Sequence, residues 1–200
     1  MAPLAPSRPD SPSGSSVDTA TRILDATLAT MADHGIARLS LEDVARRAGL
    51  SRQTVYRYFP SKGDLVEATV LREEQVFIAA MVSAAGRQRE LESALRAAIE
   101  AAMRTGQAHA LLSRLLATEP ESLVALVTTD RGPVLSAARQ ALQEILSSWL
   151  PRVPKARLLM ATDAVARLLV SYVVNPPADS SSQVATRLAQ LLVNGLPGVA

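Results

Sequence analysis

Apolar positions recur at intervals of three and four from residue 19 almost to the carboxyl end of the chain, the spacing that places side chains on one face of an α-helix. Ile23, Leu24, Thr27, Leu28 and Met31 form the first stripe, and Gly35 ends it with Ile36 free to fold back on the helix. Two short helices are predicted next, over residues 41–48 and 52–59. Ser40 is placed to cap the first, its hydroxyl accepting orphan backbone donors while Asp43, three residues on, completes a capping box. Gly49 then takes the left-handed conformation that closes a helix, which glycine adopts without a Cβ clash. Ser51 caps the second short helix, Pro60 stops it, and Ser61 caps a third that runs to about residue 85. At 1.5 Å per residue that third helix is about 35 Å long, enough to leave one domain and enter another.

Beyond a break near Gly86, Leu91, Leu95, Ile99 and Met103 form a stripe opposite a ladder of Glu92, Arg96, Glu100 and Arg104, whose i,i+4 pairs are structural. Shorter helices are expected over 108–117 and 120–127, and a longer one over 133–149, with Pro151 and Pro154 separating it from the next. The helix over 155–174 is apolar nearly all round and needs cover on several sides. Asp163 and Arg167 interrupt it, and it is too short and too charged for a membrane span. After Pro176 and Pro177, Val184, Leu188, Leu191 and Leu192 mark a final helix. The expected fold class is therefore all-α. Residues 1–16, with Pro3, Pro6, Pro9 and Pro12 among serines, are expected to form a disordered tail in which Arg8 is the one basic residue. No apolar h-region follows the start, so no signal peptide is expected and the location expected is cytoplasmic.

The chain of 200 residues has room for a small head and a larger body, each with its own core. It has no cysteine, which excludes a disulfide framework or a thiolate metal site. His34 and His109 are its only histidines, and neither a glycine-rich phosphate loop nor a nucleophile elbow is present, so the familiar catalytic constellations lack their parts. No enzyme activity, metal or cofactor is expected. A net charge of +2 is modest, so any basic surface must be local. It is: residues 44–62 contain Arg46, Arg47, Arg52, Arg57 and Lys62, no acid, and in Tyr56, Tyr58 and Phe59 half of the chain's aromatic residues. Such a segment points to nucleic acid. Val55 and Phe59, four apart, turn one face of their helix to a core. The other face leaves Arg52, Gln53 and Tyr56 near the helix N-terminus, where a recognition helix enters the major groove. Arginine suits guanine O6 and N7, and glutamine suits adenine N6 and N7. The tyrosine suits a thymine methyl or a phosphate, and Thr54, Tyr58 and Lys62 suit the DNA backbone. Tyr58, three residues after Val55, is also placed to touch the flank of the core.

The run SLEDVARRAGLSRQTVYRYFPSKGDL over residues 40–65 resembles the DNA-binding head of the TetR family of bacterial transcriptional regulators, and TRILDATLATMADHG over 21–35 resembles that family's first helix. The resemblance implies a three-helix head over 17–77, with its helix-turn-helix at 40–59, joined by the long helix to a ligand-binding and dimerisation body over 78–200. It places DNA contacts at Ser40, Arg52, Gln53, Thr54, Tyr56, Tyr58 and Lys62. Glu42 departs from the pattern, because many members carry a basic or polar residue there, near phosphate. The family's last two long helices form a four-helix dimer interface, for which Leu158, Val165, Leu169, Val173, Val184, Leu188 and Leu191 are the candidates. A homodimer would bind double-stranded DNA at an inverted-repeat operator, with two recognition helices about 34 Å apart or at a longer helical spacing.

A pocket is expected among the helices between residues 91 and 149, with Met103, His109, Arg114 and Trp149 as candidate lining. Walls rich in Leu, Ile, Ala and Met favour a small apolar effector over a planar cation, which would call for aromatic or acidic walls. The resulting expectation is a repressor that an apolar ligand releases from DNA, with no membrane partner. A ligand-independent architectural DNA-binding protein, or a helical adaptor, is the alternative. No small molecule would both stabilise such a protein and weaken its DNA binding.

Overall fold

The structure, a computed structural model, describes residues 13–121 and 133–195, and the secondary structure among them is helical throughout. In chain order the helices are α1 (Ser13–His34), α2 (Leu41–Ala48), α3 (Arg52–Tyr58), α4 (Lys62–Gly86), α5 (Leu91–Ala108), α6 (Ala110–Thr118), α7 (Pro133–Trp149), α8 (Lys155–Val174) and α9 (Ser181–Asn194). Residues 13–16, expected in the tail, open α1, because nothing after Pro12 obstructs a helical backbone. Residues 1–12, Arg8 included, and most of the helix expected over 120–127 lie outside the described residues.

Local chemistry explains the boundaries. Ser40 Oγ accepts the Asp43 N–H at 3.1 Å and so caps α2, but Asp43 does not return a bond to the Ser40 backbone. Its carboxylate instead accepts from the Ser40 hydroxyl at 2.6 Å and from Arg46. The reciprocal capping boxes stand at Ser61 with Asp64, opening α4, and at Ser180 with Gln183, opening α9. Gly49, at φ 64°, closes α2 in the left-handed region, turning the chain sharply into α3. His109 separates α5 from α6 by serving both: it ends the first, and its Nδ1 accepts the Leu112 N–H at 3.4 Å at the start of the second.

Two cores result. The head core gathers Ile23 and Met31 of α1, Leu39, Val44 of α2, Val55 of α3 and Leu65 of α4. Leu111 and Leu115 of α6 join it, so the body sends a helix into the head. The body core is built on α5, which packs against α4, α7, α8 and α9. Its small residues Ala94, Ala98, Ala101 and Ala102 are buried and let neighbouring helices come close. α4 belongs to both cores, through Leu65 at one end and Ile78, Met81 and Ala85 at the other. Arg72 fastens its middle to α1, donating to Asp25 at 2.8 Å and to the Thr21 carbonyl at 3.4 Å.

The α5–α8 contact is tight enough to specify glycine. A Cβ at Gly106 would lie 2.6 Å from Val173 Cγ1, and valine is stiff at χ1. Gly106→Ala should therefore destabilise the fold by about 1–3 kcal/mol despite alanine's better helix propensity. In a Val173→Ala background the same change should stabilise by about 1 kcal/mol. Thermal or denaturant unfolding of the four proteins checks both signs.

Candidate nucleic-acid interface

The helix-turn-helix is assembled from α2 and α3. Ser51 Oγ accepts the Thr54 N–H at 3.1 Å, which starts α3, and the fully buried Val55 anchors it to the head core with Phe59 packing alongside. Anchoring that side turns Arg52, Gln53 and Tyr56 outward together as one exposed face. Thr54 and Tyr58 are half-buried on its flanks. Thr54 Oγ1 shares a hydrogen bond with Ser51 Oγ at 2.8 Å, while Tyr58 packs on the head core and carries Arg57 over its ring at 5.6 Å. Tyr58 is thus in part the core aromatic that its spacing from Val55 allowed. Lys62, the first residue of α4, donates from Nζ to the Ala37 carbonyl at 2.9 Å. Ser40, at the start of α2, already uses its hydroxyl within the cap.

The charge around this surface is organised by pairs. Arg47 pairs with Asp33, Arg46 with Asp43 and Arg52 with Glu42. The Ser40 hydroxyl, followed by Arg46, holds the Asp43 carboxyl below its ordinary value. Arg47 does the same for Asp33. Arg52 also reaches Tyr56 Oη at 3.3 Å, with its guanidinium 5.3 Å from the ring centroid; that bond and then Glu42 push its pKa up. Residue spacing had placed Arg52 and Tyr56 on one face, but the bond from Arg52 to Glu42 of α2 arises only when the two helices meet. The one signal for it was that Glu42 is an acid beside a basic surface.

A second feature lies behind the head. A partly open cavity of about 110 Å³ lies where α1, α4, α5, α6, α7 and α8 converge. Its wall is mostly apolar, from Leu28 and Met31 of α1, Phe77 of α4, Leu112 of α6 and Val170 and Val173 of α8. His109 and Glu73 are part of its lining, with Nε2 and Oε2 3.3 Å apart, and because Nδ1 accepts from Leu112, Nε2 is the nitrogen left to donate to Glu73. Glu74 lines the cavity too, and burial pushes its carboxyl up. Of the four candidates, His109 is at the cavity; Met103 is buried in the body core, and Arg114 and Trp149 do not line it. The expected region, 91–149, also omitted α1, α4 and α8. Those helices reach the cavity only through tertiary packing.

Most of the dimer candidates are already covered within the chain. Leu158, Val165, Leu169, Val173, Val184 and Leu188 are buried against neighbouring helices of their own chain, which leaves them almost no surface to give a partner. Leu191 alone is exposed, at 53%. The apolar surface of α8 that remains uncovered holds Met160, 73% exposed, with Ala164 and Leu168 at successive intervals of four. Because α8 is apolar nearly all round, its periodicity could not say which side the chain itself would cover.

Residues 23–69 match the family described as bacterial regulatory proteins, tetR family, and residues 90–194 match the bacterial tetracyclin repressor C-terminal domain. The chain is similar to the HTH-type transcriptional regulator AlkX of Mycobacterium tuberculosis, 28% identical over 173 residues that cover 85% of this chain and 81% of that one. It is 35% identical over 98 residues, 49% of this chain and 51% of the other, to the HTH-type transcriptional repressor LfrR of Mycolicibacterium smegmatis. Among solved structures, the TetR family repressor AlkX from Dietzia sp., implicated in biodegradation of n-alkanes, superposes with a TM-score of 0.68 at 28% identity, covering 90% of this chain and 98% of that one. Among the described residues no helix is long and apolar enough to cross a membrane. With its helix-turn-helix head and helical body, the chain belongs to the TetR family of bacterial transcriptional regulators, which bind DNA and act as dimers.

Proposed function

We propose that the protein is a repressor that binds an inverted-repeat operator as a homodimer and lets go when a small apolar ligand fills the cavity behind its head. One observation carries the reading: the cavity wall is shared between Leu28 and Met31 of the head's first helix and α4, which runs on into the body. A ligand there separates the elements that set the position of α3. The Glu73–His109 bond ties α4 to the α5–α6 corner in the cavity wall, where a bound molecule would meet it. The apolar wall favours an aliphatic molecule, and the n-alkane association of the Dietzia relative gives the first probes. A series of n-alkanes and their alcohols, titrated against protein and operator, should contain members that raise the melting temperature and weaken DNA binding together. A series in which no compound does both would favour the ligand-independent DNA-binding reading.

On the DNA side the proposed contacts are Arg52, Gln53 and Tyr56 to base edges, with Ser40, Thr54, Tyr58 and Lys62 along the backbone. Gln53→Ala should relax base preference at one position of each half-site by about 1–3 kcal/mol, read by binding to single-base operator variants. Lys62→Ala should weaken all sequences alike and flatten the salt dependence, since a phosphate contact carries no base information. A loss confined to certain sequences would remove Lys62 from the backbone set.

A further inference from the structure

Glu42 sets an acid on the surface that is meant to meet a polyanion. Its side chain is 60% exposed and pairs with that of Arg52, 58% exposed, so the bond links the second residue of α2 to the first residue of α3. An ion pair this open to water adds little to stability. The fold does not need it, and against phosphate alone it is a handicap, because it cancels a positive charge at the surface.

The surroundings of Arg52 give the pair a use. Its guanidinium is held on one side by the Glu42 carboxylate and on the other by Tyr56, whose hydroxyl receives Nη2 at 3.3 Å and whose ring centroid lies 5.3 Å from Cζ. A free arginine samples many rotamers and meets phosphates as readily as bases, whereas a fork fixed from two sides presents its remaining donors in one direction. Nε–H and the second proton on each Nη stay available for an acceptor pair such as guanine O6 and N7.

We propose that Glu42 is a specificity-determining positioning residue: with Tyr56 it aims the Arg52 guanidinium at a base edge and holds it off the phosphates. The inference rests on the reading of α3 as the recognition helix. It exchanges affinity for discrimination. Any duplex meets one acid more and one mobile arginine less, while the correct base pair meets an arginine already oriented.

The test is selection from one random duplex library by the wild type, Glu42→Gln, Glu42→Asp and Arg52→Ala, followed by the salt dependence of each protein on a mixed-sequence duplex. Arg52→Ala should flatten one position of each half-site. Glu42→Gln should lower discrimination at that same position by about tenfold, bind mixed-sequence DNA more tightly, and steepen the log–log salt slope by about one as Arg52 moves to a phosphate. Glu42→Asp keeps the charge but loses a methylene of reach, so its salt slope should stay near wild type while its discrimination falls. In the Arg52→Ala background Glu42→Gln should have no further effect on discrimination. Melting temperatures should be unchanged throughout.

If Arg52→Ala flattens a position and Glu42→Gln leaves it sharp, or loosens a different one, the positioning role is overturned and the recognition helix stands. Should Arg52→Ala flatten no position, the reading of Arg52 fails and takes the role of Glu42 with it.

Discussion

Leu168→Glu and Met160→Glu should yield folded monomers that bind the operator about a thousandfold more weakly than the wild type. Both side chains project from the uncovered face of α8, so a carboxylate there remains in water and the body core is undisturbed. In a two-fold dimer each new charge meets the surface around its own copy, and taking two like charges out of water costs more than a modest interface supplies. The DNA effect follows from geometry. One recognition helix in one groove is a weak contact, and joining two of them makes the second engagement intramolecular. Light scattering gives the mass, circular dichroism the fold, and operator titration the affinity. Val165→Glu is the contrast: Val165 is buried against neighbouring helices, so the same charge should unfold the protein. A dimer that survives both surface changes would move the interface away from this face.

The second large effect concerns the cavity. Ala137→Phe, made on the α7 wall, should stand in for the ligand: operator binding should weaken by about tenfold with no ligand added, and the ligand concentration needed for further release should rise by about a hundredfold or more. A phenyl group takes up most of the space, since cavities near 150 Å³ hold a benzene molecule and this one is about 110 Å³. Filling a void restores dispersion contacts, while overpacking strains the wall, so the melting temperature reports which dominates. Ala137→Leu adds less bulk and should show the same loss of response in weaker form. If the Ala137→Phe protein released DNA at the wild-type ligand concentration, the effector would have to bind elsewhere.

Much of this architecture was legible from local signals. Ser61 capped α4 as expected, the bounds of α2, α7 and α8 followed from flanking glycine and proline, and the alternation of Val55 and Phe59 against Arg52 and Tyr56 gave the outward face of α3. These features depend on a few neighbouring residues. What was not legible depends on distant ones. α8 presents apolar groups in every direction, so only the packing of α5, α7 and α9 decides that Val165 and Leu169 are covered and Met160 is not. The cavity takes its walls from six helices, and α6 enters the head core because Leu111 and Leu115 meet α1, a contact without periodic signature. The Ser40 cap shows a smaller failure of the same kind: Asp43 had an arginine and its own capping hydroxyl within reach, and these took the place of the backbone donor.

Whether the protein is a sequence-specific dimer is decided by selecting bound sequences from a random duplex library with purified protein at physiological salt. An inverted repeat should be enriched, its half-sites about one helical turn or a longer helical spacing apart. Recovery of no motif, with only weak binding that salt abolishes, would contradict a sequence-specific dimer.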